Sequence, residues 1–423
     1  LICTNRRTQP NKVFFSDAKA STEMTKLQAE PARFTDPAPQ ALSKKLLFIL
    51  ASCAGLAVAN LYYAQPLLAL IADSFNAPTT IGLVAVATQV GYTFGILFVL
   101  PLGDLIDRRR LTVSLGTILV LAALGCALAP SLRLLALASL LVGFGATITQ
   151  VMVPFAADLA LPEQRGRAVG VVFSGLLAGI LLARTVGGAI GQLLGWRAMF
   201  GLASVIALLL VAILRISLPK TKPKTSQSYL GLMRSMIALL AKHRSLRCAC
   251  AVQACLFAIF SAFWSTLALL LAKPPFELGA AAAGAFGIVG LVGVGAANVS
   301  GRLIDRYGSR RGLFVGVTCC VLSYAVFLAD VSLRGLVFGI VLLDFGLSIA
   351  NVSNQSKILG LDLQATSRIN TIYVTAIFLG GSIGTAIASA AWVGSGWSAV
   401  CVFGLAAASL AFVINIYDWA VLP

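Results

Sequence analysis

An all-α membrane protein of twelve transmembrane helices, arranged as two pseudo-symmetric halves of six, is the architecture this sequence predicts. Three observations predict it. The 423 residues are 59% hydrophobic and only 11% charged, where a soluble domain carries roughly a quarter of its residues as charge. Apolar stretches of about 20 residues, the length needed to cross the hydrocarbon, recur along the chain. Between them an arginine-rich device is written twice, GDLIDRRR at 103–110 and GRLIDRYGSRR at 301–311, offset by 198 residues.

The elements follow in order. Residues 1–45 are polar, rich in Pro, Lys and Thr and without an apolar segment, which predicts a disordered cytoplasmic tail. The chain opens on Leu1, so Met24 is a candidate start. The first long apolar run begins near Leu46, which predicts no cleavable signal peptide. Six spans are expected at 46–72, 81–102, 111–129, 134–157, 168–192 and 198–216, forming an N-terminal half over 46–216. Pro219 and Pro223 close the sixth. In the linker 217–245, Tyr229, Leu232, Met233, Met236, Ile237 and Leu240 recur at helical spacing, which predicts an amphipathic helix on the inner membrane surface that tethers the halves. Six more spans are expected at 246–272, 280–300, 312–329, 335–356, 369–392 and 396–417, a C-terminal half over 246–417, with a short tail at 418–423. Arg133 and Arg334, Arg167 and Arg368, and the pairs Gly195-Trp196 and Gly396-Trp397 are each 201 residues apart. Parallel repeated halves are a layout of secondary transporters.

The net charge of +17 is a topology signal. Of the 32 lysines and arginines, only Arg133, Arg197, Lys273 and Arg334 fall in the gaps on the opposite side from the tail, and only Arg184 lies within a span. By the positive-inside rule both termini face the cytoplasm. The same distribution argues against nucleic acid as a partner. The nine cysteines form no CxxC pair and have no metal-ligand spacing with the single His243, so neither a disulfide framework nor a metal is expected. No G-x-x-x-x-G-K-[ST] loop is present to hold a nucleotide, and no membrane-level cluster forms a catalytic set.

The quoted residues resemble the major facilitator superfamily over essentially all of 46–417. The loops after spans two and eight are similar to its G-x-x-x-D-R-x-G-R-R signature. The bacterial drug:proton-antiporter-like branch, the arabinose-efflux-type permeases, is the closer resemblance, carried by NLYYAQP (60–66), VPFAADLALPEQRGRAVG (153–170), GILLARTVGGAIGQLLGWRAMF (179–200), LLDFG (342–346), SRINTIY (367–373) and FLGGSIG (378–384). Two departures stand out. Arg110 occupies a position where the signature has glycine, and Ser139 precedes Gly143-Phe144-Gly145 where antiporters of the family often carry an arginine.

The resemblance implies a monomeric inner-membrane carrier that works by rocker-switch alternating access, needs no cofactor and draws on the proton gradient. It implies a conformational latch made by Asp107, Arg108, Arg110 and Asp158 with the start of span eleven. Asp305, Arg306, Arg310, Arg167 and Arg368 would form its counterpart. A structural alternative is that these charges only set topology. Gly175, Gly179, Gly187, Gly188 and Gly191 make one face of span five small, which permits close backbone approach. The resemblance implies a sliding contact there with the glycines of span eight.

Arg184 and Asp344 are the two charges expected near mid-membrane, where an ionisable group is costly and faces the interior or a wet cavity. Asp344 is the candidate proton carrier, with a purely structural pairing the alternative. Arg184 could instead snorkel to the outer surface. Asn60, Tyr63, Gln65, Gln89, Tyr92 and Gln150 from the first half, with Trp264, Asn351, Asn354, Gln355, Asn370 and Tyr373 from the second, would line a cavity of amides and aromatics. Such a cavity suits a small neutral or amphipathic solute, with interhelical hydrogen bonding the competing use of these groups. Proton-coupled export is the leading reading. An importer or uncoupled facilitator on the same fold, and a non-transporting membrane sensor, are the alternatives.

Overall fold

A bilayer offers no water to unpaired amides, so a chain this apolar must satisfy its backbone within helices. The computed structural model describes residues 43–219, 228–290, 304, 306–362 and 365–421, and every regular element among them is helical. Span one is Lys44–Ala59, capped by the Ser43 hydroxyl, then an irregular turn and a second short helix, Leu68–Ser74. Span two is Gly82–Val99, running into a tight turn over Pro101–Asp104. Span three is Arg108–Leu128, and span four is Leu132–Ala146 and Ile148–Leu159, joined at Thr147. Spans five and six are Arg165–Leu194 and Trp196–Ser217.

The linker helix is Tyr229–Lys242. Spans seven to ten are Arg244–Leu271, Ala280–Val289, Ser309–Ala329 and Leu333–Leu359. The last helical stretch, Thr366–Val421, bends at Gly396 (φ +69°) into spans eleven and twelve. Among the described residues nine helices are long and apolar enough to cross a membrane. Dividing the last of these at Gly396 and adding the broken first span and Ala280–Val289 gives twelve. Helix continues to Val421, so 418–421 extend span twelve where the sequence suggests a tail. The remainder of span eight, with the second arginine cluster's Asp305, lies outside the described residues, as do residues 1–42.

The 201-residue repeat has a structural cause. Gly195 (φ +86°) separates spans five and six, and Gly396 does the same between eleven and twelve. Both adopt a left-handed backbone that L side chains avoid. Each is followed by a tryptophan whose indole N–H is satisfied within its own half: Trp196 donates to Ser74 Oγ (3.0 Å) and Trp397 to the Phe327 carbonyl (3.1 Å). Ser131 and Ser332, also 201 apart, cap spans four and ten.

Close backbone approach organises each half. Gly175 and Gly179 of span five lie against the backbones of Ala51 and Gly55 in span one, and Gly380 and Gly384 of span eleven repeat this against Ala254 and Ala258 of span seven. Large apolar side chains such as Leu128, Leu193, Leu209 and Phe338 are left exposed on the outside of the bundle, where acyl chains replace the missing packing. The linker helix buries Leu232, Met236 and Leu239. Met236 and Leu239 join a cluster with Leu246, Ile358 and Ile369 of the second half, and the Tyr229 hydroxyl donates to the Phe98 carbonyl of span two (3.2 Å).

A Cβ at residue 179 would meet the Gly55 backbone, whereas Gly201 has open space around it. Gly179→Val is expected to lower the midpoint of thermal unfolding in detergent, at a cost of about 1–3 kcal/mol from overpacking. Gly201→Val should leave that midpoint unchanged.

Candidate functional site

The feature of the interior that hydrocarbon cannot tolerate alone is a guanidinium, and Arg184 is buried (4% exposed) in span five. Three aromatic rings surround it: Trp264 at 3.8 Å, Tyr62 at 4.8 Å and Phe260 at 5.7 Å from the guanidinium carbon to the ring centre. Such contacts are worth about 0.5–2 kcal/mol each, more where water is excluded. Arg184 Nε donates to Gln65 Oε1 at 2.9 Å. The break after span one is what brings Gln65 here, because Pro66 opens a tight turn that turns 65–67 inward. Arg184 therefore reaches across both halves, with spans one and five on one side and span seven on the other.

Span eight is the third wall. The position of a Cβ at Gly287 lies 3.1 Å from Arg184 Cβ, and at Gly290 it lies 3.0 Å from Asp344 Oδ2. The glycine face of span eight thus touches the basic group of span five and the acidic group of span ten. Asp344 is buried and in Coulombic range of Arg184. Arg184 Nη2, Trp264 Nε1 and Asp344 Oδ1 are all buried without a hydrogen-bond partner. Gln65, Pro66, Arg184, Trp264, Leu267, Ala268 and Ala283 line a narrow crevice. Buried polar atoms are nearly always satisfied, so the spare donors of Arg184 and Trp264 at this crevice, with the spare acceptor of Asp344 nearby, make it the candidate site.

The glycine interface between spans five and eight is present. Gly188 faces the Ala280 carbonyl, Gly284 faces the Arg184 carbonyl, and Thr185 Oγ1 donates to the Gly284 carbonyl (3.2 Å). The five glycines of span five divide between two neighbours. Gly175 and Gly179 serve span one; Gly187 and Gly191 lie against Tyr63 and Leu67 of the turn that breaks the first span; Gly188 alone of the five meets span eight.

The polar residues read as cavity lining have several fates. Gln65 and Trp264 belong to the Arg184 site. Asn60 spends its amide on the Leu56 carbonyl of its own helix (2.9 Å), and Tyr63 is buried beside Gly187. Gln150 donates to the Tyr92 hydroxyl (3.0 Å), and Tyr92 packs edge-on against Phe378 of span eleven at 4.5 Å. Gln89 donates to Ser261 (3.4 Å), and Thr93 meets Ser382 (3.0 Å), so spans two, seven and eleven are joined by polar contacts between the halves. Tyr373 donates to Asn351 (3.0 Å), and Asn354 donates to Gln253 (3.3 Å). Gln355 and Asn370 are half-buried. Interhelical bonding thus accounts for about half of these groups, the competing use expected from the sequence.

At the arginine-rich face, Arg108 is buried and fully engaged. Its Nη1 donates to Asp158 at the end of span four, its Nη2 to Asp104 (3.1 Å) and its Nε to the Gly103 carbonyl (3.0 Å). Asp107 caps span three by accepting from the Arg109 amide (3.1 Å). Arg110 is exposed, and it is Arg108 rather than Arg110 that takes Asp158. Arg167, Arg306 and Arg310 are exposed and Arg368 is half-buried; Asp305 lies outside the described residues.

Sequence reasoning missed Asp104, although it stands inside the first arginine cluster four residues before Arg108. It also missed Tyr62 and Phe260, whose signal was present as aromatics flanking polar positions, and the buried ion pair between Lys357 and Asp418. That pair joins spans ten and twelve, and no motif announces it.

A bundle of twelve helices in two repeated halves, with Arg184 and Asp344 buried in its interior, is the build of a membrane carrier. The family model of the Major Facilitator Superfamily matches residues 47–385, and the chain belongs to that superfamily. It is 38% identical over 380 residues to the uncharacterized transporter YgaY of Escherichia coli O157:H7, covering 89% of this chain and 95% of that protein. It is 34% identical to SCO4007 of Streptomyces coelicolor, named a probable transporter, covering 85% and 84%. In fold it is similar to a bacterial homologue of the lysosomal transporter Spinster in an inward-facing conformation (TM-score 0.70, 16% identity, 89% of this chain and 97% of that one). It is likewise similar to the xylose transporter XylE of E. coli in a partially occluded inward-open conformation (TM-score 0.67, 15% identity, 90% and 98%). The protein is a multi-pass membrane transporter, not an enzyme.

The Arg108–Asp158 pair has a direct test. In a double-mutant cycle of Arg108→Gln and Asp158→Asn, thermal unfolding in detergent should return a coupling free energy of about 1–3 kcal/mol, the worth of a hydrogen bond to a charged group. Coupling near zero would make the contact incidental.

Proposed function

We propose that this transporter exports a small neutral or amphipathic organic solute across the bacterial inner membrane in exchange for protons, with both termini in the cytoplasm and the monomer as the working unit. The single observation that carries the reading is the Arg184–Asp344 arrangement: opposite charges on spans five and ten, each with an unsatisfied polar atom, separated by the glycine face of span eight. The crevice beside them is lined by alanine, leucine, proline and tryptophan with only two polar groups, which favours a mostly apolar guest over a charged one.

In this reading Asp344 carries the proton. As a carboxylate it offsets the charge of Arg184; on taking a proton it becomes a neutral donor and that attraction is lost. The energy difference between the two arrangements of span eight then depends on protonation, which couples proton movement to the rocking of the halves. Arg184 holds its place through Gln65 and the aromatic rings in both states. At the cytoplasmic face the Asp104–Arg108–Asp158 cluster, with Asp107, is the latch that holds one arrangement closed. The charge distribution supports the orientation, and the resemblance to efflux-type permeases supports the direction.

Reconstituted in proteoliposomes, the Asp344→Asn variant should lose solute flux driven by a pH gradient while keeping solute counterflow, which needs no net proton movement. Normal pH-driven flux in that variant would sink the coupling role. Counterflow in the unmodified protein with no response to a pH gradient would instead identify an uncoupled carrier. For the latch, Asp107→Asn should slow transport without reducing membrane insertion, and unchanged rates would leave the cluster as a topology signal alone.

A further inference from the structure

The crevice between the halves offers one kind of hydrogen-bonding group. Gln65, Arg184 and Trp264 are its polar side chains, and Pro66, Leu267, Ala268 and Ala283 are its other walls. A guanidinium and an indole N–H can only donate. Gln65 brings one side-chain acceptor, and Arg184 Nε takes it at 2.9 Å. What is left over is Arg184 Nη2 and Trp264 Nε1, both without a partner, on side chains 4% and 2% exposed. Asp344, with its spare acceptor, is not part of the lining.

The two donors are neighbours brought from opposite halves. The Arg184 guanidinium carbon lies 3.8 Å from the centre of the Trp264 ring. Phe263 packs edge-on to that ring at 5.4 Å, and Phe260 lies tilted to it at 6.2 Å, which fixes the direction of the indole N–H. Elsewhere the fold supplies partners for the same groups. Trp196 and Trp397 donate to Ser74 and to the Phe327 carbonyl, and Arg108 is engaged through three nitrogens. Two buried donors side by side with no acceptor between them favour a guest that brings one.

We propose that the transported solute is recognised through an uncharged carbonyl oxygen on an apolar body, which accepts from Arg184 Nη2 and Trp264 Nε1 together. A carbonyl oxygen has two lone pairs, enough for both donors, and the body lies against the proline, leucine and alanine walls. One donor belongs to each half, so a single oxygen engages both halves at once. An ammonium brings only donors and is repelled by Arg184, so organic cations are excluded. A carboxylate also accepts, but it adds a second anion where Asp344 already offsets Arg184, and its desolvation is left uncompensated. That last exclusion rests on the exchange reading above, in which solute is held while Asp344 is a carboxylate.

The test is equilibrium dialysis of the full chain in detergent, at neutral pH and without a gradient, against four probes of one shape: acetophenone, cumene, benzoate and α-methylbenzylamine. Empty micelles correct for partitioning. Acetophenone should bind roughly tenfold more tightly than cumene, the worth of one hydrogen bond to a charged group. Apolar transfer alone favours cumene, so area cannot produce that preference. Benzoate and α-methylbenzylamine should both bind more weakly than acetophenone. Trp264→Phe keeps an aromatic ring but removes the N–H, and should cut the acetophenone-to-cumene ratio roughly two- to tenfold. If that variant does not fold, the four probes on the unmodified protein decide alone. Equal or tighter binding of any other probe, no binding of acetophenone, or an unchanged ratio in Trp264→Phe would overturn the proposal. Dialysis involves no proton movement, so the two readings fail separately. Acetophenone binding without pH-driven flux would sink the exchange and keep this inference; pH-driven flux of another solute without acetophenone binding would do the reverse.

Discussion

Burying a guanidinium in hydrocarbon costs several kcal/mol unless its surroundings answer for the lost water. In this protein those surroundings are assembled from four other spans. Span one breaks so that Gln65 can accept from Arg184, span seven supplies Trp264 and Phe260, span eight yields its side chains so that backbone can come close, and span ten brings Asp344. Tyr62 closes the remaining side. Removing any one leaves a charge exposed to lipid or an orphaned donor. The break in the first span, the glycines of the eighth and the aromatic cluster of the seventh thus meet around one residue.

Much of the architecture was legible because hydropathy and charge act through simple physics. Span length is fixed by the thickness of the hydrocarbon, and the spacing of Gly195 and Gly396 reflects left-handed turns that few residues other than glycine provide. Breaks within spans were not legible. The split at Thr147 interrupts a long apolar run, and the unwinding at 60–67 falls where Asn60, Gln65 and Pro66 stand; hydropathy marks neither, and Pro66 alone hints at the second. The bend at Gly396 leaves helix on both sides, which composition cannot distinguish from a loop of similar length.

The candidate site was legible in part, for a related reason. Arg184 and Asp344 stand out because a charge in an apolar span is rare and costly. Amides do not stand out in the same way. Asn60 satisfies its own helix and Gln150 is held by Tyr92, while Gln65 supports a charge; the three are alike in sequence and differ only in what the fold sets opposite them. Partners on other helices, such as Asp418 for Lys357, depend on a tertiary contact that no local pattern encodes.

Span eight touches Arg184 through Gly287 and Asp344 through Gly290, one turn apart on the same helix. In the proposed cycle, a helix so placed is a sliding contact between two electrodes. In that cycle a tilt or shift that moves Gly287 along the Arg184 side chain moves Gly290 along Asp344 as well, so displacement of the helix and separation of the pair would be a single mechanical coordinate. A side chain larger than hydrogen at either position would turn that coordinate into a fixed spacer. The charges would then be held at one separation.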